Sequence, residues 1–185
     1  MPAPRSLTLA VALAATASLA SAAPAHKTKP KRAKAEVTAD VYGGYSHVHA
    51  GEASLDGWTL SGSYPLRSRL SVVGDLAGHY GSYAGASLSE LALQVGVRHA
   101  WPSPSPRHGL SPFAEVLLGA VHTGTSSAGV SDSDTDLGLS LGGGADFGLS
   151  ERWAARGLFH LRFVHGEGAS DTDYRFSVGI VYRLR

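Results

Sequence analysis

Apolar and polar residues alternate with a period of two along most of the chain after residue 36. The alternating stretches are about ten residues long and are separated by Gly, Ser, Pro and Asp, which is typical of β-strands whose two faces meet different surroundings. One clear example contains Leu91, Leu93 and Val95, which alternate with polar or small residues. No stretch fits a helical period as well. The pattern predicts eight strands, at residues 37–47, 55–64, 69–80, 88–101, 110–123, 135–149, 152–165 and 172–184.

Short connections between consecutive strands predict an antiparallel, up-and-down order. Closing such a sheet into a barrel removes its exposed edges, and an even number of strands returns both termini to the same end. The barrel therefore has one end with the termini and one far end. The connections at 65–68, 102–109 and 149–151 belong to the end with the termini, and those at 48–54, 81–87, 124–134 and 166–171 belong to the far end.

Aromatic residues indicate which face of the barrel is outside. On the apolar face the large rings lie near both strand ends and leave an aliphatic middle, as in the two aromatic belts of a membrane barrel. Tilted strands of about ten residues also cover ~25 Å, the height of the apolar band of such barrels. We therefore predict an all-β fold, an eight-stranded antiparallel up-and-down transmembrane β-barrel. The predicted interface aromatics are Trp58, Tyr80 and Tyr174 at the far end, and Tyr64, Trp101, Trp153 and Tyr182 at the end with the termini.

The opposite face of the strands carries charges of both signs among many Ser and Gly residues. An eight-stranded barrel is just wide enough for side chains to fill it, so these charges are expected to pair with one another and to leave no open channel. Arginine suits this role because its planar guanidinium can bind a carboxylate through two hydrogen bonds. The predicted ion-pair network consists of Asp40, Asp75, Arg98, Glu115, Asp146, Arg156, Arg162, Arg175 and Arg183.

The first 35 residues differ in composition from the rest. Arg5 precedes an uncharged apolar stretch at 7–19, and Ala20-Ser21-Ala22 then provides a small-x-small cleavage pattern. Because a membrane-spanning helix needs about twenty residues, this stretch is too short to be one. We expect residues 1–22 to be a cleaved secretory signal, with a cut after Ala25 as the second candidate. Residues 23–35 hold all four lysines and are expected to form a basic disordered linker before the barrel at 36–185.

Charge and cysteine content exclude several classes of function. From Glu36 onward the chain has ten arginines and no lysine against fifteen acidic residues, a formal charge of −5. Nucleic-acid binding by the folded part is therefore not expected. The absence of cysteine excludes disulfides, zinc-thiolate sites and cysteine nucleophiles.

Several glycine-rich and aromatic segments carry a family resemblance. They resemble the bacterial outer-membrane β-barrel domain family, small eight-stranded barrels similar to the N-terminal domain of outer membrane protein A. The resemblance covers almost the whole mature chain and implies a place in the bacterial outer membrane. The matching segments are Val41-Tyr42-Gly43-Gly44-Tyr45, Gly74-Asp75-Leu76-Ala77-Gly78-His79-Tyr80, Ser111-Pro112-Phe113-Ala114, Leu141-Gly142-Gly143-Gly144-Ala145-Asp146 and Arg175-Phe176-Ser177-Val178-Gly179-Ile180-Val181-Tyr182-Arg183-Leu184.

The last strand also resembles the signal that the outer-membrane assembly machinery reads. Its pattern is a polar residue, then glycine, then two hydrophobic residues in alternation, here Ser177, Gly179, Tyr182 and Leu184. The partners that the resemblance implies are outer-membrane lipid and, during biogenesis, this assembly machinery.

Three functions are consistent with the sequence. We expect a non-enzymatic outer-membrane barrel with an envelope-structural or surface-interaction role. The first alternative is a soluble periplasmic barrel that binds a small apolar ligand inside, in which Trp58, Trp101 and Trp153 would be buried. The second is an outer-membrane lipid-modifying hydrolase, which would need a nucleophile beside a rim histidine. The candidate histidines are His79, His122 and His165.

No metal or cofactor is predicted. His47 and His49 lie on one strand face, but a third ligand is not evident and an exposed pair is the simpler interpretation. The acidic run at 132–136 lacks the glycine and terminal glutamate of a calcium loop. The glycines at 142–144 are not followed by a helix, so close backbone approach or a bend explains them better than phosphate binding.

Overall fold

The computed structural model describes residues 38–51, 53–83, 85–101, 108–127, 130–166 and 169–184. The predicted signal at 1–22 and linker at 23–35 lie outside the described residues. No helix in the described part is long and apolar enough to cross a membrane. The strands are β1 (Ala39–Ala50), β2 (Ala53–Pro65), β3 (Leu70–Tyr83), β4 (Ala86–Ala100), β5 (Leu110–Ser127), β6 (Val130–Gly148), β7 (Trp153–Gly166) and β8 (Ala169–Leu184).

These strands form one closed antiparallel barrel in sequence order. Each strand pairs with the next, and β8 closes the barrel on β1 with Asp40 opposite Arg183 and His49 opposite Tyr174. The predicted eight-stranded up-and-down topology is confirmed. We call the end at which β1 begins and β8 ends the inner end, and the opposite end the outer end.

The outer ends of the strands extend further than predicted. β5 continues to Ser127 instead of residue 123, and β6 begins at Val130 instead of residue 135. Apart from Val130, the added residues are Gly, Ser, Thr and Asp, and most of them are exposed. Hydrophobic alternation does not predict them as strand, because both faces of a strand meet water beyond the apolar band. The predicted far connections were therefore too long.

Each outer connection leaves only two positions between the strands that it joins. Gly51 and Gly85, in the β1–β2 and β3–β4 connections, have positive φ angles of 59° and 84°. Two-residue hairpin turns that match the twist of the strands need such angles, and glycine adopts them without a steric penalty. The β1–β2 and β3–β4 connections are thus suited to tight hairpins.

The two faces of the barrel wall have opposite character. Outward positions are apolar, as on β4, where Leu91, Leu93 and Val95 are exposed. Inward positions are mainly polar and buried, with one small apolar cluster near the inner end. That cluster consists of Tyr42, Phe113, Ala154, Leu158 and Val181. The main core of this protein is therefore charged and hydrogen-bonded.

Candidate functional site: the charged lumen and the lipid-facing surface

Two arginines and three carboxylates meet in the inner part of the lumen. Arg156 donates to both oxygens of Asp146, at 2.6 Å from Nε and 2.9 Å from Nη2. The same Nη2 lies 3.5 Å from Asp40 Oδ1. Arg98 Nε donates to Glu115 Oε2 at 2.6 Å. Both guanidinium groups are buried, and each carboxylate comes from a different strand.

Phe113, a member of the apolar cluster, lies beside both guanidinium groups. The ring centroid lies 4.5 Å from Arg98 Cζ and 5.0 Å from Arg156 Cζ. A cation over the face of an aromatic ring is attracted by its quadrupole. The ring therefore contributes to holding both arginines across the lumen.

A second chain of contacts crosses the middle of the barrel. Glu115 Oε1 lies 2.8 Å from His160 Nε2, and His160 Nδ1 lies 3.0 Å from Arg175 Nη2. Arg175 Nη1 then donates to Asp75 Oδ1 at 2.8 Å. Since a guanidinium can only donate, Nδ1 of His160 must accept and Nε2 must carry the proton. The geometry thus requires a neutral His160.

The outer part of the lumen holds a third cluster. Arg162 donates through both terminal nitrogens to the two oxygens of Glu90, each at 2.8 Å. His79 Nδ1 lies 3.1 Å from Glu90 Oε1, and its Nε2 lies 2.9 Å from Ser46 Oγ. Ser177 Oγ donates to Ser46 Oγ at 3.0 Å. Glu90 therefore neutralises the charge of Arg162 and orients the ring of His79.

Ser46, His79 and Glu90 have the hydrogen-bonding order of a Ser-His-acid triad. However, Ser46 is 0 % exposed, so its hydroxyl is closed to an acyl substrate in this structure. Glu90 is also bound by Arg162, which weakens its action on the histidine. The arrangement fits a packed polar core better than a nucleophile and base.

The other two rim histidines lie on the outward face. His122 Nδ1 is 2.9 Å from Thr135 Oγ1 on the neighbouring strand, and His165 is exposed near the outer end of β7. No acidic side chain contacts His122 in the described part of the chain.

Eight of the nine predicted lumen charges take part in these ion pairs. Only Arg183, half-buried near the inner end of β8, takes part in none of those between described residues. The predicted ion-pair network did not include Glu90, His79 and His160. Each lies an even number of residues from a predicted lumen charge on the same strand and therefore faces inward as well. The alternation could have identified all three. The eight paired residues are Asp40, Asp75, Arg98, Glu115, Asp146, Arg156, Arg162 and Arg175.

The predicted aromatics lie on the outward face of the barrel. Trp58, Trp101 and Trp153 are 41 %, 46 % and 48 % exposed, which is opposite to burial in a soluble core. Trp153 and Tyr182 lie side by side, with ring centroids 4.8 Å apart across the β7–β8 pair. Tyr64, Tyr80 and Tyr174 are also exposed.

Tyr45, which was not among the predicted interface aromatics, joins the aromatic group at the outer end. Tyr45 lies opposite Trp58 in register and donates a hydrogen bond to Asp56. His47 Nδ1 lies 2.8 Å from the same carboxylate. His49 instead contacts Ser54 and stacks on Tyr174 at 4.9 Å. No group of three or more metal-ligating side chains occurs within the described ranges.

The four residues of the predicted assembly signal divide between the two faces of β8. Ser177 and Gly179 face inward, whereas Tyr182 and Leu184 face outward. Gly179 is tightly packed, since a Cβ built there would lie 2.2 Å from the carbonyl oxygen of Gly43. Only glycine lets β8 approach β1 this closely.

Comparison with known proteins supports an outer-membrane barrel. The sequence profile of the outer membrane protein beta-barrel domain matches residues 10–183. No curated protein sequence is significantly similar to the chain.

Three solved outer-membrane barrels have a similar fold, and each comparison covers 80 % of this chain. Neisserial surface protein A is 12 % identical, with a TM-score of 0.63 over 96 % of its own length. Ail of Yersinia pestis is 17 % identical, with a TM-score of 0.58 over 99 % of its length. The N-terminal barrel of Pseudomonas aeruginosa OprF is 13 % identical, with a TM-score of 0.52 over 98 %. At these identities the likeness shows the fold alone.

The location follows from the profile match together with the apolar outward face. The inner end corresponds to the periplasmic side of such barrels, and the outer end corresponds to the external side. The chain belongs to the outer membrane protein beta-barrel domain family and is a protein of the bacterial outer membrane.

Proposed function

We propose that this protein is a non-enzymatic structural component of the outer membrane whose lumen is closed to solutes by its own ion pairs. The observation that carries the proposal is a continuous set of charged contacts across the lumen. It runs from Asp146 through Arg156, Asp40 and Arg98 to Glu115, and continues through His160 and Arg175 to Asp75. The role of such a barrel is to contribute its outer surface and its stability to the envelope.

Burial of the lumen charges supports closure. Arg162 and Arg175 are 1 % and 0 % exposed, so water hardly reaches the guanidinium groups that span the barrel. A water-filled pore would leave such groups hydrated. Eight strands also give a lumen only wide enough for side chains.

The outer surface supports a structural role more than tight recognition of a partner. Its connections are short and, with the strand ends beside them, are made mainly of Gly, Ser, Ala and Asp. Aromatic and arginine anchors, which carry most binding energy at interfaces, are sparse there. Ail has been crystallised with the heparin analogue sucrose octasulfate. The exposed Asp132 and Asp134 on β6 would repel such a polyanion here.

The proposal is tested by recording ion currents across planar lipid bilayers. The full chain, refolded and inserted, is expected to show no steady conductance. The double variant Arg98→Ala/Arg156→Ala removes two guanidinium groups from the inner lumen and is expected to produce brief ion-conducting events. Arg152→Ala, which changes an exposed arginine beside the inner end of β7, is the matched control and should remain silent.

Stable channels in the wild-type protein would contradict closure. A double variant that refolds to the compact, heat-modifiable form and yet conducts no more than the Arg152→Ala control would show that the arginines do not close the lumen.

Of the two alternatives, the soluble barrel is contradicted by the outer-membrane location and by a lumen lined with charged groups. No described contact favours the lipid-modifying hydrolase, because the histidine that meets a serine and a glutamate does so in a closed interior.

A further inference from the structure

A cavity of about 230 Å³ opens at the outer end of the lumen. It is smaller than the roughly 300–1,000 Å³ of sites for drug-sized ligands, and it is far larger than the space of one water molecule. Glu90, the partner of Arg162, is among its lining residues. Any occupant must therefore be small and must rest above the outer ion-pair cluster.

The cavity lining has two kinds of surface. The apolar part is provided by Leu55, Leu88, Val121 and Val164. The polar part is dominated by carboxylates, which are Glu90, Asp136, Asp171 and Asp173. No arginine or lysine belongs to the lining residues in the described part of the chain. An occupant that matches both surfaces needs positive charge and a hydrocarbon body.

Three of the four carboxylates that line this cavity have no hydrogen-bond or ion-pair partner among the described residues. Glu90 is neutralised by Arg162. Among the described residues, no hydrogen bond or ion pair reaches Asp136, Asp171 or Asp173. Asp173 lies opposite Arg162 in the β7–β8 pair, but both terminal nitrogens of Arg162 donate hydrogen bonds to Glu90.

Asp173 is the most informative of the three. It is only 6 % exposed, and what remains open faces the cavity. Its carboxylate receives no hydrogen bond from the described residues, and an ammonium group in the cavity would supply the missing donor. This buried, unpartnered group distinguishes the cavity from an ordinary acidic surface.

The geometry argues against a metal ion as the occupant. A divalent cation needs several oxygen ligands around one point, and within the described ranges no three acidic or histidine side chains meet that condition. Spread-out carboxylates beside an aliphatic wall suit an elongated cation instead. Its ammonium group can donate three hydrogen bonds, and its methylene groups can cover Leu55 and Val121.

We propose that the outer cavity binds a small linear alkylammonium cation, with the ammonium group against Asp173 and the hydrocarbon chain against the apolar lining. The proposal concerns only the outer mouth of the barrel and does not depend on whether the deeper lumen conducts ions.

Isothermal titration calorimetry of the full chain, refolded in nonionic detergent at neutral pH, provides the test. The probe is 1,5-diaminopentane, which is expected to bind saturably at one site. Glutarate, a dianion of the same carbon length, should not bind. 1,2-Diaminoethane should bind several-fold more weakly, because it has three fewer methylene groups to bury.

Two variants locate the site. Asp173→Asn keeps the side-chain shape and should lower the affinity at least tenfold. Asp56→Asn makes the same change in charge at the outer end, but on the outward face, and should leave the affinity within twofold of wild type. Refolding of each variant is checked by heat-modifiable migration on a gel.

Absence of saturable binding of 1,5-diaminopentane would overturn the proposal. Equal losses in Asp173→Asn and Asp56→Asn would also overturn it, since the diamine would then respond only to overall surface charge. If Asp173→Asn does not refold, Asp171→Asn replaces it, because Asp171 is exposed at the cavity edge. The proposal then requires at least a threefold loss and fails if the affinity is unchanged.

Discussion

Arg162 and Glu90 show how a single buried charge depends on its partner in this barrel. They lie 72 positions apart in the chain and form two hydrogen bonds of 2.8 Å in the lumen. Burial of an ion pair is not by itself strongly stabilising, because both charges lose their hydration. Removal of one partner is strongly destabilising, since the other charge remains buried alone.

Glu90→Gln keeps the shape of the side chain and removes its charge. We expect it to lower the free energy of unfolding by ~3–5 kcal/mol, the usual cost of breaking a buried pair. Urea unfolding of the barrel in lipid vesicles, followed by tryptophan fluorescence, measures the change. Asp132→Asn, at an exposed position on β6, is the control and should stay within ~0.5 kcal/mol of wild type.

If Glu90→Gln unfolds at the same urea concentration as wild type, the buried charge of Arg162 does not need Glu90 for the stability of the barrel. The double variant Glu90→Leu/Arg162→Met offers a further check. It removes both charges and should recover much of the stability that the single change loses.

At the scale of the strands, the contacts of Gly179 explain why β8 and β1 can close the barrel. A Cβ at this position would lie 2.2 Å from Gly43 O and 2.5 Å from Gly44 Cα. Backbone atoms of a neighbouring strand cannot move away as a side chain can. Gly157 on β7 is different, because a Cβ there would have no neighbour within 4 Å.

Gly179→Val should therefore prevent a large fraction of the protein from reaching the compact form, whereas Gly157→Val should refold like wild type. The fraction of heat-modifiable protein on a gel measures both. If the two variants refold equally well, the close contact between β1 and β8 does not limit closure.

The outer part of β6 differs from the rest of that strand. It pairs with β5 from Val130 onward, but its pairing with β7 begins only at Leu137 among the described residues. Amide hydrogens at 130–136 should therefore exchange with solvent at least tenfold faster than those at 138–147, which have neighbours on both sides. Hydrogen exchange in nanodiscs measures the ratio, and equal protection would contradict the exposed edge.

The sequence predicts the strands best where the wall separates lipid from lumen. There the alternation of Leu91, Leu93 and Val95 with Gln94 and Gly96 defines both the strand and its faces. It cannot predict the outer part of β5 and β6, where Thr, Ser and Asp meet water on both faces. The alternation predicts that His160 faces the lumen. Its contacts with Glu115 and Arg175, which lie on other strands, follow only from the closed barrel.

At the scale of the whole molecule, the outward tryptophans test the orientation of the barrel in its membrane. Trp58 belongs to the outer aromatic group, and Trp101 and Trp153 belong to the inner one. Single-tryptophan variants in vesicles of brominated lipids should all be quenched. Quenching should be strongest with bromine near the headgroups and weaker with bromine at the bilayer centre. A tryptophan that brominated lipids leave unquenched would contradict its place at the interface.

The pairing of β1 with β8 also has a consequence for the order of folding. It joins the first and last strands, and contacts such as that of Arg175 with Asp75 link positions 100 residues apart. Contacts of this range form late, because the intervening chain must first be ordered. Until then the arginines and carboxylates lack partners, and unpaired charges are costly within a bilayer. Half-closed intermediates are therefore expected to be short-lived in the membrane, and insertion and closure are expected to occur together as one cooperative step.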